Sequence, residues 1–322
     1  MTNKEIKIFY SKDWEDYKLL DTGEGEKLEK FGKYVFVRPY EDAVWKKTLT
    51  AKEWSGVDGK FWSSKQGAKK GWVLKTKITD KWEMSYKGIK FLAFPTPFRH
   101  LGFFPEQASH WDFIEKKISD AVKQKKNFSA LLHPLDGTFR QQNSSSASGI
   151  KFLNLFGYTG VASLFALRAG AEVTHLDASK QTLNWVKENQ KIAGLENLPM
   201  RIIEDDAIKF LEREEKRGNK YDAIIMDPPK FGRGPKGEVW KIEEMLPKLL
   251  LQVRKVLSDK PLFVILTSYA IDASSLSLEY ALADAMADFN GQTEAGELCV
   301  LEKSKERIIP LANTAVWQAL EK

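Results

Sequence analysis

The chain has 322 residues, with 50 Lys+Arg against 44 Asp+Glu, 43% hydrophobic and 12% aromatic residues. That composition excludes a disordered polymer and is long enough for two domains, and no apolar stretch approaches the roughly 20 residues that span a bilayer. The opening residues MTNKEIKIFYSKDWED hold both charges and no apolar export segment, and the lone Cys299 can make neither an internal disulfide nor a thiolate metal site, so a cytoplasmic protein without a metal is expected.

Charge divides unevenly along the chain. Residues 1–150 carry 27 Lys+Arg against 19 Asp+Glu, whereas residues 151–322 carry 23 against 25. Within residues 43–90, twelve lysines accompany four acids and alternate with Trp45, Trp54, Trp62, Trp72 and Trp82. Cations beside large flat rings suit a polyanion that offers bases to stack on; the same residues equally suit a small β domain with an aromatic core and a lysine-rich surface. Residues 1–100 read as short β runs such as KYVFVRP, GWVLKTKI and WEMSYKGIKFLAFP broken by turn residues, which predicts one β-rich module and a candidate RNA-binding region. Residues 101–150 read as a connection. Trp111, Phe113 or Ile114, Ile118 and Val122 recur at helical spacing and predict a helix over 106–127, and the polar QQNSSSASG at 141–149 predicts a hinge or flexible loop.

From residue 151 to 322 strands and helices alternate: FLNLF and VASLFALRAG, AEVTHLD and SKQTLNWVKENQKIAGL, MRIIEDD and AIKFLEREEKR, YDAIIMD and a helix near 242–257, PLFVILTSY and SLSLEYALADAMADF. Five βα units predict a doubly wound, mainly parallel α/β sheet of the Rossmann-like kind. GELCVLEKS and IIPLANTAVWQ have no helix between them and complete seven strands as a terminal antiparallel hairpin.

Such sheets bind ligands beyond the carboxyl ends of their strands. Four of those ends are chemically unusual. In NLFGYTG, Gly157 and Gly160 allow a sharp turn and a close approach to a ligand, with a helix N-terminus behind them. Asp177 closes the second strand, twenty residues after Gly157, where an acid accepts ribose hydroxyls, although it could instead cap the next helix. Asp205-Asp206-Ala207 follows the third strand, and Asp227-Pro228-Pro229-Lys230 the fourth. A dinucleotide site needs a third glycine where Leu155 stands, so a nucleoside ligand without pyrophosphate is expected. His100, His110, His133 and His175 are scattered without ligand spacing, which argues against a metal.

The strings FLNLFGYTG, IEDDAIKF, DPPKFGRGPKGEVW and LTSYAIDAS, with HLGFFPEQASHW ahead of them, resemble the class I S-adenosylmethionine-dependent methyltransferases, and most closely the bacterial group that methylates 23S (large-subunit) ribosomal RNA. The resemblance covers about residues 98–317. It implies S-adenosylmethionine as cofactor, and RNA, as 23S RNA or an assembling large subunit, as partner. By position, Asn154, Gly157, Tyr158, Thr159 and Gly160 would surround the methionine part, Asp177 with Ala178 the ribose, and Asp206 with Ala207 the adenine, while Phe104 and Gln107 would cover the site.

Methyl transfer from a sulfonium is chiefly a matter of aiming a lone pair. Pro228 forces Asp227 into an extended conformation, and the two prolines remove amide donors, leaving carbonyls and a carboxylate as acceptors for a base N–H. Asp227, Pro228, Pro229 and Lys230 are therefore the candidate catalytic stretch. Phe231, Tyr158 or Tyr269 could stack on an extruded base, and Lys230, Arg233 and Lys236, in a flexible cover from 230 to 237, could hold phosphates. Relatives that make 5-methylcytosine need a cysteine near the place of Tyr269, and Cys299 lies in a late strand, so methylation of a base nitrogen, with guanine favoured, is expected. A 5-methylcytosine enzyme, a protein or small-molecule methyltransferase, a non-catalytic RNA-binding protein and an NAD-dependent dehydrogenase are the alternatives.

Overall fold

Two tight turns set the N-terminal pattern. Glu24-Gly25 and Lys87-Gly88 all have positive φ (53°, 76°, 46° and 81°), the mirror-image turn whose twist matches that of the strands it joins. The computed structural model describes residues 4–63, 71–132, 149–269 and 274–320. The predicted 141–149 loop, except Gly149, lies outside the described residues, as do His133 and Ala270 to Ala273 of LTSYAIDAS.

The first part of the chain forms β1 (Lys7–Phe9), β2 (Tyr17–Gly23), β3 (Glu26–Phe31), β4 (Tyr34–Pro39), α1 (Ala51–Ser55), β5 (Gly59–Trp62), β6 (Gly71–Leu74), β7 (Trp82–Tyr86) and β8 (Ile89–Ala93). A 3-10 turn, Pro105–Gln107, leads into α2 (Ala108–Leu132). There follow β9 (Lys151–Leu155), α3 (Val161–Arg168), β10 (Glu172–Asp177), α4 (Lys180–Ile192), β11 (Met200–Glu204), α5 (Ala207–Lys216) and β12 (Ala223–Met226). Then come β13 (Phe231–Arg233), β14 (Val239–Lys241), α6 (Ile242–Val256), β15 (Phe263–Ser268), α7 (Ser275–Ala285), β16 (Gly291–Leu301) and β17 (Ile308–Ala319).

The large sheet runs β1-β16-β17-β15-β12-β9-β10-β11. All six residues of β15 are buried, as expected of an apolar strand covered on both faces. The seven predicted strands are all in it, with β16 and β17 as the antiparallel hairpin; β1 is an eighth strand, parallel to β16, contributed from the chain's start. From β9 the chain winds outward to β10 and β11, then returns to place β12 on the other side of β9. That reversal opens a crevice at the carboxyl ends of β9 and β12. The helix predicted over 106–127 is longer, and it is more than a connection, since Ile114 and Ile118 bury against Phe152, Ile225 and Val316 of the sheet.

β2 to β6 form a five-stranded sheet and β7–β8 a separate hairpin. Their aromatic residues share one core with the large domain, where Trp14 packs on Tyr86, Phe103 and Trp111 at ring distances of 4.8, 5.7 and 5.7 Å. The tryptophans between 43 and 90 largely follow the aromatic-core alternative. Trp82 is buried against Phe36, and the ring N–H groups of Trp45, Trp54 and Trp72 donate to Thr22, Asp21 and the Phe98 carbonyl.

Because Trp14 ties β2, the β7–β8 hairpin and α2 together, Trp14→Ala should cost about 3–5 kcal/mol, typical of a large aromatic removed from a core. Urea unfolding followed by far-UV circular dichroism and by fluorescence should show both probes moving together to a lower midpoint.

Candidate active site

β9 ends in a strained loop. Phe156 and Tyr158 hold φ of 56° and 53°, left-handed values that cost non-glycine residues on the order of 1 kcal/mol or more, and Gly160 follows at 86°. Hydrogen bonds hold this shape: the Gly157 amide donates to the Leu176 carbonyl (2.9 Å), the Tyr158 amide to Asp177 Oδ2 (2.9 Å), and the Thr159 hydroxyl to the Gly102 carbonyl. The two glycines make room for protein more than for a ligand. A Cβ on Gly157 would lie 2.3 Å from the His175 ring, and one on Gly160 would lie 2.9 Å from Val186. α3 then starts at Val161 with no side-chain cap.

Asp177 organises the neighbouring loop as well. Its Oδ1 accepts from the Ser179 amide and the Thr182 hydroxyl, both at 2.9 Å, while Oδ2 accepts from Tyr158. Burial raises its carboxyl above the ordinary value despite these bonds. The Ala178 amide also bears on this carboxylate. Ala178 is half-buried between the two loops. Asp206 caps α5, its Oδ1 accepting from the Lys209 amide at 3.0 Å, and Ala207 is the buried first residue of that helix. Asp206 thus acts as the N-cap of α5, outside the cleft at the end of β9.

That cleft, about 420 Å³, brings together Phe104, Gln107, Asn154, Gly157, Tyr158, Thr159, Gly160 and Asp227. Asn154 points into an interior chain in which its Nδ2 donates to Ser163 Oγ (3.0 Å), and Ser163 Oγ meets His175 Nδ1 (2.9 Å). Burial pushes His175 down to about 4, which keeps its ring neutral. At the mouth, the Phe104 ring lies 4.8 Å from Tyr269 and 5.6 Å from Tyr158. Gln107 Nε2 donates to the Tyr269 hydroxyl (3.1 Å), and its Oε1 is buried with no partner among the described residues.

Asp227 follows β12 at the crevice, half-buried, and burial followed by the charge of Glu106 holds its carboxyl well above the usual range. Pro228 is buried. The expectation that both proline carbonyls serve the cleft is corrected, because the Pro229 carbonyl accepts from Trp240 Nε1 at 2.6 Å. Trp240 is itself packed on Phe156 at 4.9 Å. The predicted flexible cover is a hydrogen-bonded hairpin, β13–β14, closed by Gly234 N to Glu238 O (2.8 Å) and by Ile242 N to Lys230 O (3.1 Å). Exposed Phe231, Arg233 and Lys236 stand on this hairpin, outside the cleft lining. Lys230 is exposed at its base.

Sequence reasoning missed Glu106, 5% exposed in the turn before α2, and the apolar wall formed by Phe103, Trp111, Phe156 and Ile225. Glu106 reads in the sequence as an ordinary helix-start acid; only the turn that buries it beside Asp227 and Tyr269 makes it a site group.

Residues 103–276 match the family model for S-adenosylmethionine-dependent methyltransferases. The chain belongs to that family. The crystal structure of an S-adenosylmethionine-dependent methyltransferase from Agrobacterium tumefaciens superposes with a TM-score of 0.84 and 37% identity, covering 99% of this chain and 97% of the other. The chain is also similar to ribosomal RNA large subunit methyltransferase K of Neisseria meningitidis (30% identity over 150 residues, 45% of this chain and 42% of the relative) and to ribosomal RNA large subunit methyltransferase I of Aeromonas salmonicida (38% over 93 residues, 29% and 24%). It therefore spans less than half the length of these curated relatives. The cofactor of this methyltransferase is S-adenosylmethionine. Among the described residues no helix is long and apolar enough to cross a membrane, and no group of His, Cys, Asp and Glu could hold a metal.

The raised Asp227 carboxyl has a consequence for stability. Above the ordinary value of 3.8 the unfolded chain has lost a proton that the folded chain keeps, so stability falls as pH rises toward the folded value and the penalty persists above it. Asp227→Asn should therefore raise or preserve Tm at neutral pH, as checked by calorimetry.

Proposed function

We propose that this methyltransferase modifies a base nitrogen of large-subunit ribosomal RNA in the cytoplasm, with guanine favoured, acting on 23S RNA or an assembling large subunit. The observation that carries the choice of nitrogen is Tyr269, which follows β15 where the covalent carbon-5 route needs a cysteine. Cys299 does not line the cleft, and burial pushes its thiol up to about 12, so it offers no thiolate to attack a pyrimidine. RNA as the substrate is supported by similarity to the ribosomal RNA methyltransferases of Neisseria and Aeromonas and by the surplus of basic residues in 1–150. The N-terminal β module is the part we assign to holding it.

The residues fit the cofactor. The orphaned Gln107 oxygen calls for a donor, and the Asp177 carboxylate suits a ribose hydroxyl beside Ala178. Asp206 Oδ2, beyond the cap bond on Oδ1, suits an adenine amino group next to Ala207. The uncapped start of α3, reached through Asn154, Gly157, Thr159 and Gly160, suits a carboxylate, and the Phe104 and Tyr158 rings close the mouth. Once bound, S-adenosylmethionine supplies a methyl group on a positively charged sulfur with a good leaving group built in.

The chain then has to hold the acceptor nitrogen in line. Asp227 with the Pro228 carbonyl would accept the base N–H groups, and a carboxyl held above the ordinary range is suited to take the proton that nitrogen loses as the N–C bond forms. Phe231 would stack on a base beside the target, and Lys230, Arg233 and Lys236 would meet neighbouring phosphates.

Cells lacking the gene should lose one methylated purine from large-subunit ribosomal RNA, read by nucleoside mass spectrometry, and an unchanged profile would reject the substrate. In the same assay Cys299→Ala should restore the modification as well as the wild type does; its failure with intact folding would return the carbon-5 route to favour.

A further inference from the structure

A second cavity, about 710 Å³, shares Phe104 with the first. It lies between the N-terminal sheet, which supplies Lys27 and Arg38, and the methyltransferase domain, which supplies Glu106 and Tyr269; Arg99 stands exposed on its rim.

Two buried cations in its wall share one carboxylate. Glu29, fully buried, accepts from Arg38 Nε and Nη2 at 2.6 Å each and from the Tyr17 hydroxyl at 2.9 Å. Lys27, with its side chain 11% exposed, reaches that same carboxylate only at 3.4 Å, and among the described residues no other acid lies within ion-pair distance of it. One carboxylate thus serves two buried cations. Burial and the neighbouring Arg38 push the Lys27 ammonium down to about 8, as expected of a cation short of a partner. Glu106, also in the wall, is not within ion-pair distance of Lys27, and burial raises its carboxyl. Glu41 and Asp42 are exposed at the rim. A buried cation without a full partner on a cavity wall is a place for an anion.

The opposite wall has different chemistry. Tyr269 lies beside Asp227 and Glu106, and with Phe104 it offers an aromatic surface. A phosphate at one end and a flat ring bearing N–H groups at the other describe a nucleoside monophosphate.

We propose that this cavity is the acceptor subsite of the methyltransferase: Lys27 holds the phosphate of an extruded target nucleotide whose base lies against Tyr269, facing Asp227. The assignment rests on the reading of the substrate as RNA. It adds to that reading a positioning group supplied by the N-terminal module, and Arg99 as the contact for a flanking phosphate.

The test uses the full chain saturated with S-adenosylhomocysteine, so that added nucleotide cannot occupy the adenosyl site. Guanosine 5′-monophosphate should bind at least about tenfold more tightly than guanosine, as a charge-assisted phosphate contact requires, and inorganic phosphate should compete with it. Lys27→Met should remove that preference and Lys27→Arg should keep it, while the Kd for S-adenosylmethionine stays within about twofold of wild type in both. Arg99→Ala, on the surface, should raise KM for RNA and leave kcat alone. Equal binding of nucleoside and nucleotide by the wild type would overturn the subsite, as would a preference that survives in Lys27→Met. Phosphate-dependent binding at Lys27 together with an unchanged ribosomal RNA profile in cells lacking the gene would instead reject the RNA substrate and leave the subsite standing.

Discussion

The carboxylate of Asp177 holds two loops at once. By accepting from Tyr158 on one side and from Ser179 and Thr182 on the other, it sets the distance between the ends of β9 and β10. The left-handed residues at Phe156 and Tyr158 persist because that anchor and the Gly157 bond to Leu176 over-determine them. The cleft is therefore shaped before any ligand arrives, and its acceptors need little reorganisation in methyl transfer, where aim outweighs acid or base strength.

A similar economy runs through the strand end after β12. Trp240 binds the Pro229 carbonyl and packs on Phe156, so the basic hairpin, the proline stop and the strained loop form one mechanical unit. Movement of the hairpin would be felt at Phe156, two residues before the amide that Asp177 holds.

Much of this was legible in the sequence, because strand and helix periods differ and because parallel strands read as unbroken apolar runs such as FVILTS. Seven of the eight strands of the large sheet followed from that pattern, and Gly157, Gly160 and Asp227 from strand-end chemistry, while Asn154 and Thr159 came from the family resemblance. What escaped depended on partners far away in the chain. Three residues, KIF, carry no period of their own, and they become β1 only because β16 offers an edge. Gly157 reads as a ligand contact until His175 is seen against it, and Pro229 as a free acceptor until Trp240 arrives eleven residues later. Glu106 and Lys27 matter through burial, which a charged letter in a sequence does not announce.

The pairing of β1 with β16 has a further consequence. β16 is eleven residues long and, with β17 on one side only, would present a row of open amides and carbonyls to any other strand. β1 occupies Gly296 to Leu298 of that row, and just beyond it Lys303 and Ser304 donate to the Leu19 and Leu20 carbonyls, while Glu302, fully buried, accepts from the Thr22 amide at 2.7 Å. The N-terminal module is thus stitched along the border where the large sheet would otherwise invite a second chain. Less of that edge is then open to edge-to-edge pairing with another strand.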